Sequence, residues 1–188
     1  AVNAAAGGGP GVGDGKTVDR LRFGRDLCEG TGGQVKAALG GVLALWHDAR
    51  EAGISDPASA ALPDAAALAE AARHTDFSSV IIDEAASTVQ ITDPALRLDV
   101  GAIAKGYAVE QVCRAAPDGL LLSVGGNVRA TGPKPGGENW VVGIQAPGGE
   151  SGAFLPTLYV RDVSVVTSGD YQRSYTVGGV RYHHILDP

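Results

Sequence analysis

The chain has 188 residues, of which 44% are hydrophobic, and its formal net charge is −6 at pH 7. No apolar run approaches the roughly 20 residues that a membrane-spanning helix needs. Charges of both signs are spread along the chain without a basic patch, which excludes a nucleic-acid partner. Such a composition is typical of a globular protein with one core, or with two small cores that share a sheet.

The first half of the chain is predicted to be mainly helical. Glycines indicate a loop over residues 6–15. Apolar residues then recur at helical spacing through residues 17–45, which predicts two helices separated by a glycine-rich break. A loop at residues 56–59 and an alanine-rich helix over residues 62–73 follow, with Pro63 in the first turn of that helix.

The second half is predicted to be mainly strands, because the hydrophobic period changes to two at residue 77. Residues 78–93 are typical of a β-hairpin. Residues 96–99 alternate like a half-buried strand, and residues 101–114 return to helical spacing. Helices first and strands after them favour an α+β fold over an alternating α/β fold. Further strands are predicted at residues 119–124, 128–131, 140–145, 155–161, 164–167, 174–177 and 180–186.

The clearest functional pattern lies at residues 99–112, DVGAIAKGYAVEQV, where a strand is expected to turn into a helix. The start of a helix offers unpaired backbone N–H groups and partial positive charge to an anion, and Lys105 adds a full charge. Asp99 would repel a phosphate unless a cation lay between them. The pattern therefore indicates a site for phosphate together with a divalent metal.

A glycine pair follows one of the predicted strands, at Gly125-Gly126-Asn127. Paired glycines let a ligand or another backbone approach closely, and Asn127 tolerates the left-handed conformation that such a turn can need. A plain β-turn without a ligand is the alternative.

Polar groups of several kinds gather at residues 167–173, TSGDYQR, at the end of another strand. Arg173 can donate two parallel hydrogen bonds to a phosphate or carboxylate, and Ser168 can donate to an anion. Asp170 can orient a base or a guanidinium. A polar hairpin loop is the alternative, because each of these residues is common in turns.

Residues 181–188, RYHHILDP, supply a candidate base. His183 and His184 should face opposite sides of a strand, which makes joint metal ligation unfavourable. His184 is the candidate, because a neutral imidazole can take a proton from an attacking hydroxyl, with Asp187 or Asp170 to orient it. A buried histidine with one hydrogen bond and no catalytic role is the alternative.

The two cysteines, Cys28 and Cys113, lie far apart in sequence and have no CxxC or Cys/His spacing around them. Neither a zinc site nor a disulfide scaffold is indicated. Buried free thiols are favoured, because free cysteine packs as a small hydrophobic residue, and a single disulfide is the alternative.

Together and in this order, these stretches resemble one family, the ApbE proteins, along nearly the whole chain. Proteins of this family are flavin transferases, which use FAD to attach FMN covalently to another protein. The blocks that carry the resemblance are residues 3–7 (NAAAG), 43–46 (LALW), 99–108 (DVGAIAKGYA), 124–132 (VGGNVRATG), 140–144 (WVVGI), 167–173 and 183–188.

The resemblance implies a single ApbE-like domain over residues 1–188, with mixed or antiparallel sheets and flanking helices in a T-fold-like architecture. It also implies Mg²⁺-dependent transfer of FMN from FAD to a threonine or serine hydroxyl, with release of AMP. His184 matches the histidine that activates the hydroxyl, and the carbonyl of Ala102 matches a Mg²⁺ ligand. The candidate cofactor-binding residues are Asp99, Lys105, Gln34, Val35, Lys36, Ser168, Asp170, Arg173 and Leu186.

Two departures from the family pattern bear on this expectation. Where the family commonly has Asp-x-Thr near the flavin, this chain has Lys36-Ala37-Ala38, which changes charge and hydrogen bonding. The family also has strands before Asn3 and, after Asp187-Pro188, an Asp-x-x-x-Thr segment with side-chain Mg²⁺ ligands. We expect a fragment or a companion chain, and lost catalysis is the alternative.

Three functions follow as hypotheses. The preferred one is the FMN transferase, and the others are an FAD-binding module of the same fold without transferase activity and a structural or interaction domain with a decayed site. The resemblance implies FAD and a flavin-accepting protein as partners, and a homo-oligomer stays open. It also points to an exported, membrane-anchored or periplasmic protein of a bacterium.

Overall fold

The structure is a computed structural model, and the residues that it describes are 2–146, 154–155, 157–170 and 173–187. The chain divides into two compact units, which are described separately below. Unit 1 comprises residues 1–102 and 173–188, and unit 2 comprises residues 103–172. None of the described helices has the length and apolar character of a membrane span. The single domain over residues 1–188 stays a prediction.

Helices dominate the first part of the chain and short strands the second. Unit 1 holds a three-stranded sheet with the strand order β1-β3-β2 and a hairpin of β9 with β10, and every strand pair in them is antiparallel. The predicted α+β class is therefore confirmed. In chain order the elements are β1 (Gly11–Val12), α1 (Gly15–Gly30), α2 (Gly40–Ser55), α3 (Ala65–Ala72), β2 (Val80–Asp83), β3 (Thr88–Ile91), α4 (Gly101–Arg114), β4 (Leu120–Val124), β5 (Asn127–Thr131), β6 (Trp140–Val142), β7 (Leu158–Val160), β8 (Val163–Val166), β9 (Ser174–Val177) and β10 (Val180–His183).

Side-chain caps set the start of two helices of unit 1. The Asp14 carboxylate accepts a 2.7 Å hydrogen bond from the Thr17 N–H at the start of α1. The Asp64 carboxylate accepts a 2.8 Å bond from the Ala67 N–H at the start of α3. An aspartate in this position satisfies an otherwise unpaired N–H and suits the helix dipole. Pro63 therefore lies just before the α3 cap, and its predicted place in the first turn is wrong.

The core of unit 1 forms between α1 and the three-stranded sheet. Leu96, whose side chain is fully buried, and Ile91 are its largest enclosed residues. Each such side chain contributes roughly 1.5–3 kcal/mol to the free energy of unfolding. The buried members of this cluster are Val18, Leu21, Ala37, Ala38, Phe77, Val80, Val89, Ile91 and Leu96.

Aromatic rings pack α2 against the β9–β10 hairpin. This packing fixes the position of the segment that follows β10. The ring centroids of Trp46 and Tyr182 lie 6.1 Å apart, and those of Tyr175 and Tyr182 lie 6.2 Å apart. A Cβ on Gly53 would come within 2.7 Å of the Tyr175 ring, so glycine permits this close approach. The Tyr175 hydroxyl also donates to the Ala61 carbonyl at 3.2 Å.

Gly40, the first residue of α2, leaves no room for a side chain. Its N–H donates to the Arg97 carbonyl at 2.9 Å, and a Cβ there would lie 2.6 Å from that oxygen. We predict that Gly40→Ala lowers the free energy of unfolding by about 1–3 kcal/mol through overpacking. Urea denaturation measures this. Gly41→Ala is the matched control, because its Cβ would meet Ala71 at an ordinary 3.7 Å and should be neutral or stabilising.

His74 ties the end of α3 to the segment after β3. Its Nδ1 lies 2.7 Å from Asp93 Oδ2, and its Nε2 lies 3.2 Å from Glu70 Oε1. The hydrogen bond with Asp93, and then the one with Glu70, raises the pKa of His74 above its ordinary 6.5. A raised pKa in the folded state means that the charged form stabilises the fold, and this contribution is lost as pH rises through that pKa.

We therefore predict that the stability of the protein falls between pH 6.5 and more alkaline pH, and that His74→Gln flattens this fall. Urea midpoints on either side of neutrality measure it. His47→Gln is the control, because His47 is exposed on α2 and its described contact is with Arg50. An unchanged pH dependence in His74→Gln would contradict the prediction.

Unit 2 holds most of α4 and two small antiparallel sheets. The strand order of the larger sheet is β4-β5-β8, and β6 pairs with β7. Arg129 on β5 links the helix to this sheet, because its Nε donates to Glu110 at 3.3 Å and its Nη1 donates to Asp162 at 2.6 Å. The Arg129 side chain is only 16% exposed, whereas the side chains of Glu110 and Asp162 are 38% and 67% exposed, so solvent screens the acidic side of this network.

The structure also corrects several expectations about the elements. The loop predicted at residues 6–15 contains β1, which pairs with β3. Residues 96–99 form no strand but an extended segment with one parallel bridge, between Leu39 and Arg97. The strands predicted at residues 140–145, 155–161 and 180–186 are shorter than expected. They correspond to β6, which ends at Val142, to β7, which begins at Leu158 and ends at Val160, and to β10, which ends at His183. Residue 156 of the second lies outside the described residues.

Candidate functional site

Asp99 of unit 1 lies between an extended segment and the start of α4. Its backbone N–H donates to the Ala37 carbonyl at 2.8 Å, which fixes the residue against the segment that precedes α2. Its Oδ1 accepts a 2.6 Å hydrogen bond from the Gly101 N–H, the first residue of α4. The side chain is exposed. Asp99 thus presents a carboxylate at a helix N-terminus, as predicted, with one oxygen already engaged.

The segment 34–38 lies directly beside Asp99. Gln34 is exposed, and Val35 and Lys36 are half-buried. Ala38 is 1% exposed and packs in the core of unit 1. A buried hydroxyl at this position, as in the Asp-x-Thr pattern, would need a hydrogen-bond partner, whereas the Ala38 methyl group needs none.

Lys36 also borders an open cleft of about 550 Å³ in unit 1. Arg25, Arg73 and Asp76 are among the other residues that line it. Hydrogen bonds from Ser78 lower the pKa of Asp76, and the positive charge of Lys36 lowers it further. Lys36 therefore favours the charged form of Asp76 in this cleft, whereas an acid in the place of Lys36 would repel it.

Lys105 of unit 2 lies above the glycine turn between β4 and β5. Its exposed Nζ is 3.8 Å from the place where a Cβ on Gly125 would sit. Gly125 and Gly126 have φ angles of 52° and 85°, so the two glycines carry the left-handed conformations of the turn. Asn127 is instead the first residue of β5, and the left-handed conformation that it was expected to tolerate falls on the two glycines.

The Asn127 side chain holds this turn against α4. The residue is 6% exposed, and its Nδ2 lies 3.4 Å from the position of a Cβ on Gly106. Gly106 thus allows the helix and the turn to approach closely. Unit 2 therefore brings Lys105 and Gly106 of α4 together with the predicted glycine pair.

His184 of unit 1 follows directly after β10. Its backbone N–H donates to the Arg173 carbonyl at 3.1 Å. Its Nδ1 is buried and has no hydrogen-bond partner among the residues that the structure describes, so Asp187 does not orient the ring through this atom. Burial lowers the pKa of the imidazole, and the positive charges of Arg173 and Arg50 lower it further. The ring is therefore neutral at pH 7 and able to accept a proton.

His183 differs from its neighbour, as expected for successive residues of a strand. It is exposed, and its Nδ1 accepts a 3.3 Å hydrogen bond from the Ile185 N–H. Across the described ranges no three side chains of the His, Cys, Asp and Glu types gather as a metal site. Cys28 and Cys113 are both free thiols, as favoured, but only Cys113 is buried; Cys28 is half-buried, so its predicted burial is wrong.

The other candidate residues are divided between the units. Arg173 is exposed and Leu186 is half-buried, both in unit 1 close in sequence to His184. Ser168 is exposed and Asp170 is half-buried, both in unit 2. Of the polar block at residues 167–173, residues 171 and 172 lie outside the described residues, as does Pro188. The assignment of these side chains to a cofactor stays a prediction.

Two residues beside the site have roles that the sequence did not predict. Asn3 holds the backbone next to Asp99 through its carboxamide, at a separation of 95 residues along the chain. Arg50 on α2 acts electrostatically on His184. Asn3 stood in a block that carries the family resemblance, but no local pattern indicates its distant partner. For Arg50 the sequence contains no signal.

Similar proteins of known sequence or structure include FAD:protein FMN transferases and ApbE proteins. The sequence model of the ApbE family matches residues 1–188. A curated FAD:protein FMN transferase of Treponema pallidum is 37% identical over 205 residues, which cover 100% of this chain and 55% of that protein. A second, of Klebsiella pneumoniae, is 32% identical and covers 100% of this chain and 56% of the relative. The chain thus spans about half the length of these curated relatives.

The fold is shared as well. The crystal structure of the ApbE protein of Thermotoga maritima superposes with a TM-score of 0.84 at 31% identity, over 99% of this chain and 59% of that one. The apo crystal structure of the flavinyl transferase ApbE of Pseudomonas stutzeri gives a TM-score of 0.76 at 27% identity, over 98% of this chain and 56% of that one. The sequence and the fold agree, and the chain belongs to the ApbE family.

Proposed function

We propose that the protein transfers FMN from FAD to a threonine or serine hydroxyl of a target flavoprotein and releases AMP. The observation that carries the proposal is the state of His184, a neutral imidazole with an unpartnered Nδ1 among the described residues. Relatives that match this whole chain are FAD:protein FMN transferases. A group that can take a proton near neutral pH is what activation of a hydroxyl requires.

The reaction is a phosphoryl-type transfer. The acceptor oxygen forms a bond to the phosphorus of the FMN phosphate, and the bond from that phosphorus to the bridging oxygen breaks. AMP leaves with the bridging oxygen, and the hydroxyl proton passes to His184. Catalysis of such a step depends on positioning and on neutralising the phosphate charge more than on covalent help.

Lys105 supplies charge in unit 2. Its ammonium group lies over the turn at Gly125 and Gly126, where no side chain restricts the approach of a ligand. A lysine in such a place binds a phosphate as a point charge. We therefore assign Lys105 to the phosphates of FAD, and Ser168, Asp170 and Arg173 to further polar contacts with the cofactor.

The oxygen groups around the start of α4 suit Mg²⁺. This ion binds through one or two carboxylates together with phosphate oxygens and keeps several waters. Asp99 uses Oδ1 for the Gly101 N–H and has a second carboxylate oxygen, and the family resemblance adds the carbonyl of Ala102, the second residue of α4. These two residues would hold the ion on this chain. When bound, Mg²⁺ supplies charge neutralisation to the phosphates.

An FAD-binding module without transferase activity is the second candidate. Lys36-Ala37-Ala38 replaces the acid and hydroxyl of the family pattern. In addition, the described residues gather no cluster of three metal-binding side chains. Such a protein would bind FAD tightly in the presence of EDTA and would never yield AMP. That the protein is exported, membrane-anchored or periplasmic in a bacterium stays a prediction from the family resemblance.

A labelling experiment separates the two candidates. The full-length protein is incubated with FAD, Mg²⁺ and a flavoprotein target that a known transferase of the family modifies. Flavin fluorescence that stays with the target on a denaturing gel, and disappears with EDTA, is the expected result. A target that stays unlabelled here but is labelled by the known transferase would contradict the proposed function.

A further inference from the structure

We propose that Asn3 is a positioning residue of the cofactor site, which acts by holding the backbone that presents Asp99. The inference rests on the proposed function, because it concerns how the same site binds FAD. Asn3 lies in a short 3₁₀ turn, Val2–Ala5, far from Asp99 in sequence. No cofactor contact was assigned to it on the basis of sequence.

The Asn3 carboxamide makes two hydrogen bonds to one residue. Its Nδ2 donates to the Leu98 carbonyl at 2.9 Å, and its Oδ1 accepts from the Leu98 N–H at 2.8 Å. Both distances are typical of well-formed hydrogen bonds. The two bonds therefore pair both the backbone N–H and the backbone carbonyl of Leu98, the residue before Asp99. Both bonds are partly shielded from solvent.

The opposite edge of the same segment is held by backbone. The Asp99 N–H donates to Ala37, and the Arg97 carbonyl accepts from Gly40. In an extended segment successive residues direct their backbone groups to opposite edges. Asn3 therefore takes the place of the neighbouring strand that the segment at residues 97–99 lacks on one side. This explains why an alternating sequence that predicts a strand forms none.

The consequence concerns the carboxylate. The Asp99 side chain bonds to the Gly101 N–H through a short 2.6 Å contact, so its direction depends on the backbone from residue 98 to residue 101. Without Asn3 this backbone is held on one edge only. We expect the carboxylate to lose its fixed place, and FAD affinity to fall with it, because binding then has to order the segment.

Asn3→Ala in the full-length protein tests this, and Gln90→Ala is the matched control. Gln90 Nε2 donates to the Gly8 carbonyl at 3.0 Å, so it also ties a side chain to backbone between the N-terminal segment and the same sheet region, but away from Asp99. The measurements are the Kd for FAD, the melting temperature without FAD, and the hydrogen-exchange rate of the Gly101 amide.

For Asn3→Ala we expect the Kd for FAD to rise about tenfold and the Gly101 amide to exchange at least about tenfold faster. Gln90→Ala should leave both within about twofold of the wild type. Asn3→Asp keeps the acceptor for the Leu98 N–H but not the donor, so it should fall between the two. If Asn3→Ala does not fold, the Kd for FAD and the Gly101 exchange rate of Asn3→Asp provide the test instead.

An unchanged Kd for FAD in the Asn3 variants, with or without faster exchange, would overturn the inference. So would equal changes in the Asn3 and Gln90 variants, because these would indicate a general loss of stability. If the wild type itself binds no FAD, the proposed function is wrong. The exchange rate of the Gly101 amide then tests by itself whether Asn3 holds the backbone that presents Asp99.

Discussion

Substitution of His184 by alanine is expected to lower the rate of FMN transfer by about 10²–10⁴-fold, the usual contribution of a general base. The Kd for FAD should stay within about twofold, because the role assigned to the imidazole concerns the acceptor hydroxyl. Its Nδ1 is buried and has no partner among the described residues, so removing the ring breaks no described hydrogen bond at this atom. Single-turnover kinetics with saturating FAD measures the transfer step, and flavin titration measures the Kd.

His183→Ala is the matched control for this variant. His183 is the adjacent residue, is exposed, and bonds to the Ile185 N–H. Its replacement should leave the transfer rate within about threefold of the wild type. Equal losses of transfer and FAD affinity in His184→Ala would show that His184 packs the site instead of acting as the base.

The pH dependence of transfer follows from the same environment. Burial and the charges of Arg173 and Arg50 hold the pKa of His184 below its ordinary 6.5. Because the neutral form is the active base, the rate should rise with pH, reach half of its plateau below pH 6.5, and be level at neutral pH. A half-maximal rate well above this pH would contradict the assignment.

Lys105→Ala is the second large effect. Loss of a charge-assisted bond to a phosphate should weaken FAD binding by about 1.5–3 kcal/mol, which raises the Kd by roughly 10–150-fold. The side chain is exposed and its Nζ lies over a glycine turn, so the fold should lose little stability. Fluorescence titration with FAD measures the affinity, and thermal unfolding without FAD checks the fold.

Lys134→Ala serves as the control for Lys105. Lys134 is also in unit 2, but its Nζ lies 5.8 Å from the centre of the Trp140 ring, away from the glycine turn. The FAD affinity of this variant should equal that of the wild type. The difference in FAD affinity between the wild type and Lys105→Ala should become smaller as salt is added, because salt screens exposed charges. Equal affinities for Lys105→Ala and the wild type would remove Lys105 from the site.

Local patterns predicted the elements whose causes are local. The spacing of apolar residues at 101–114 predicted the helix that the structure has at Gly101–Arg114. The hairpin at residues 78–93 forms as β2 and β3. In both cases the residues that decide the structure lie within a few positions of one another, so the sequence carries the information directly.

Elements with distant partners were missed. β1 is two residues long and exists because it pairs with β3, more than 70 residues away. The segment at residues 97–99 has the alternation of a strand, but one of its edges is occupied by the side chain of Asn3. A side chain that replaces a strand leaves no periodic signal, since a single residue carries it.

The candidate site shows the same division. Local sequence patterns, and then the family blocks, indicate Asp99, Lys105 and His184 as candidates, because each pattern is contiguous in sequence. They did not indicate that Nδ1 of His184 lacks a described partner, or that Arg50 acts on its charge. Both depend on how α2 packs against the β9–β10 hairpin, which the sequence does not display.

The ratio of AMP to protein-bound FMN, followed over one time course, tests the central claim most directly. The full-length protein is mixed with FAD, Mg²⁺ and a competent target, and both products are quantified in the same samples, with His184→Ala in parallel. We predict one AMP for each covalent FMN, at equal rates, and loss of both products in the variant. AMP without covalent FMN, or FAD binding with neither product, would contradict a transferase.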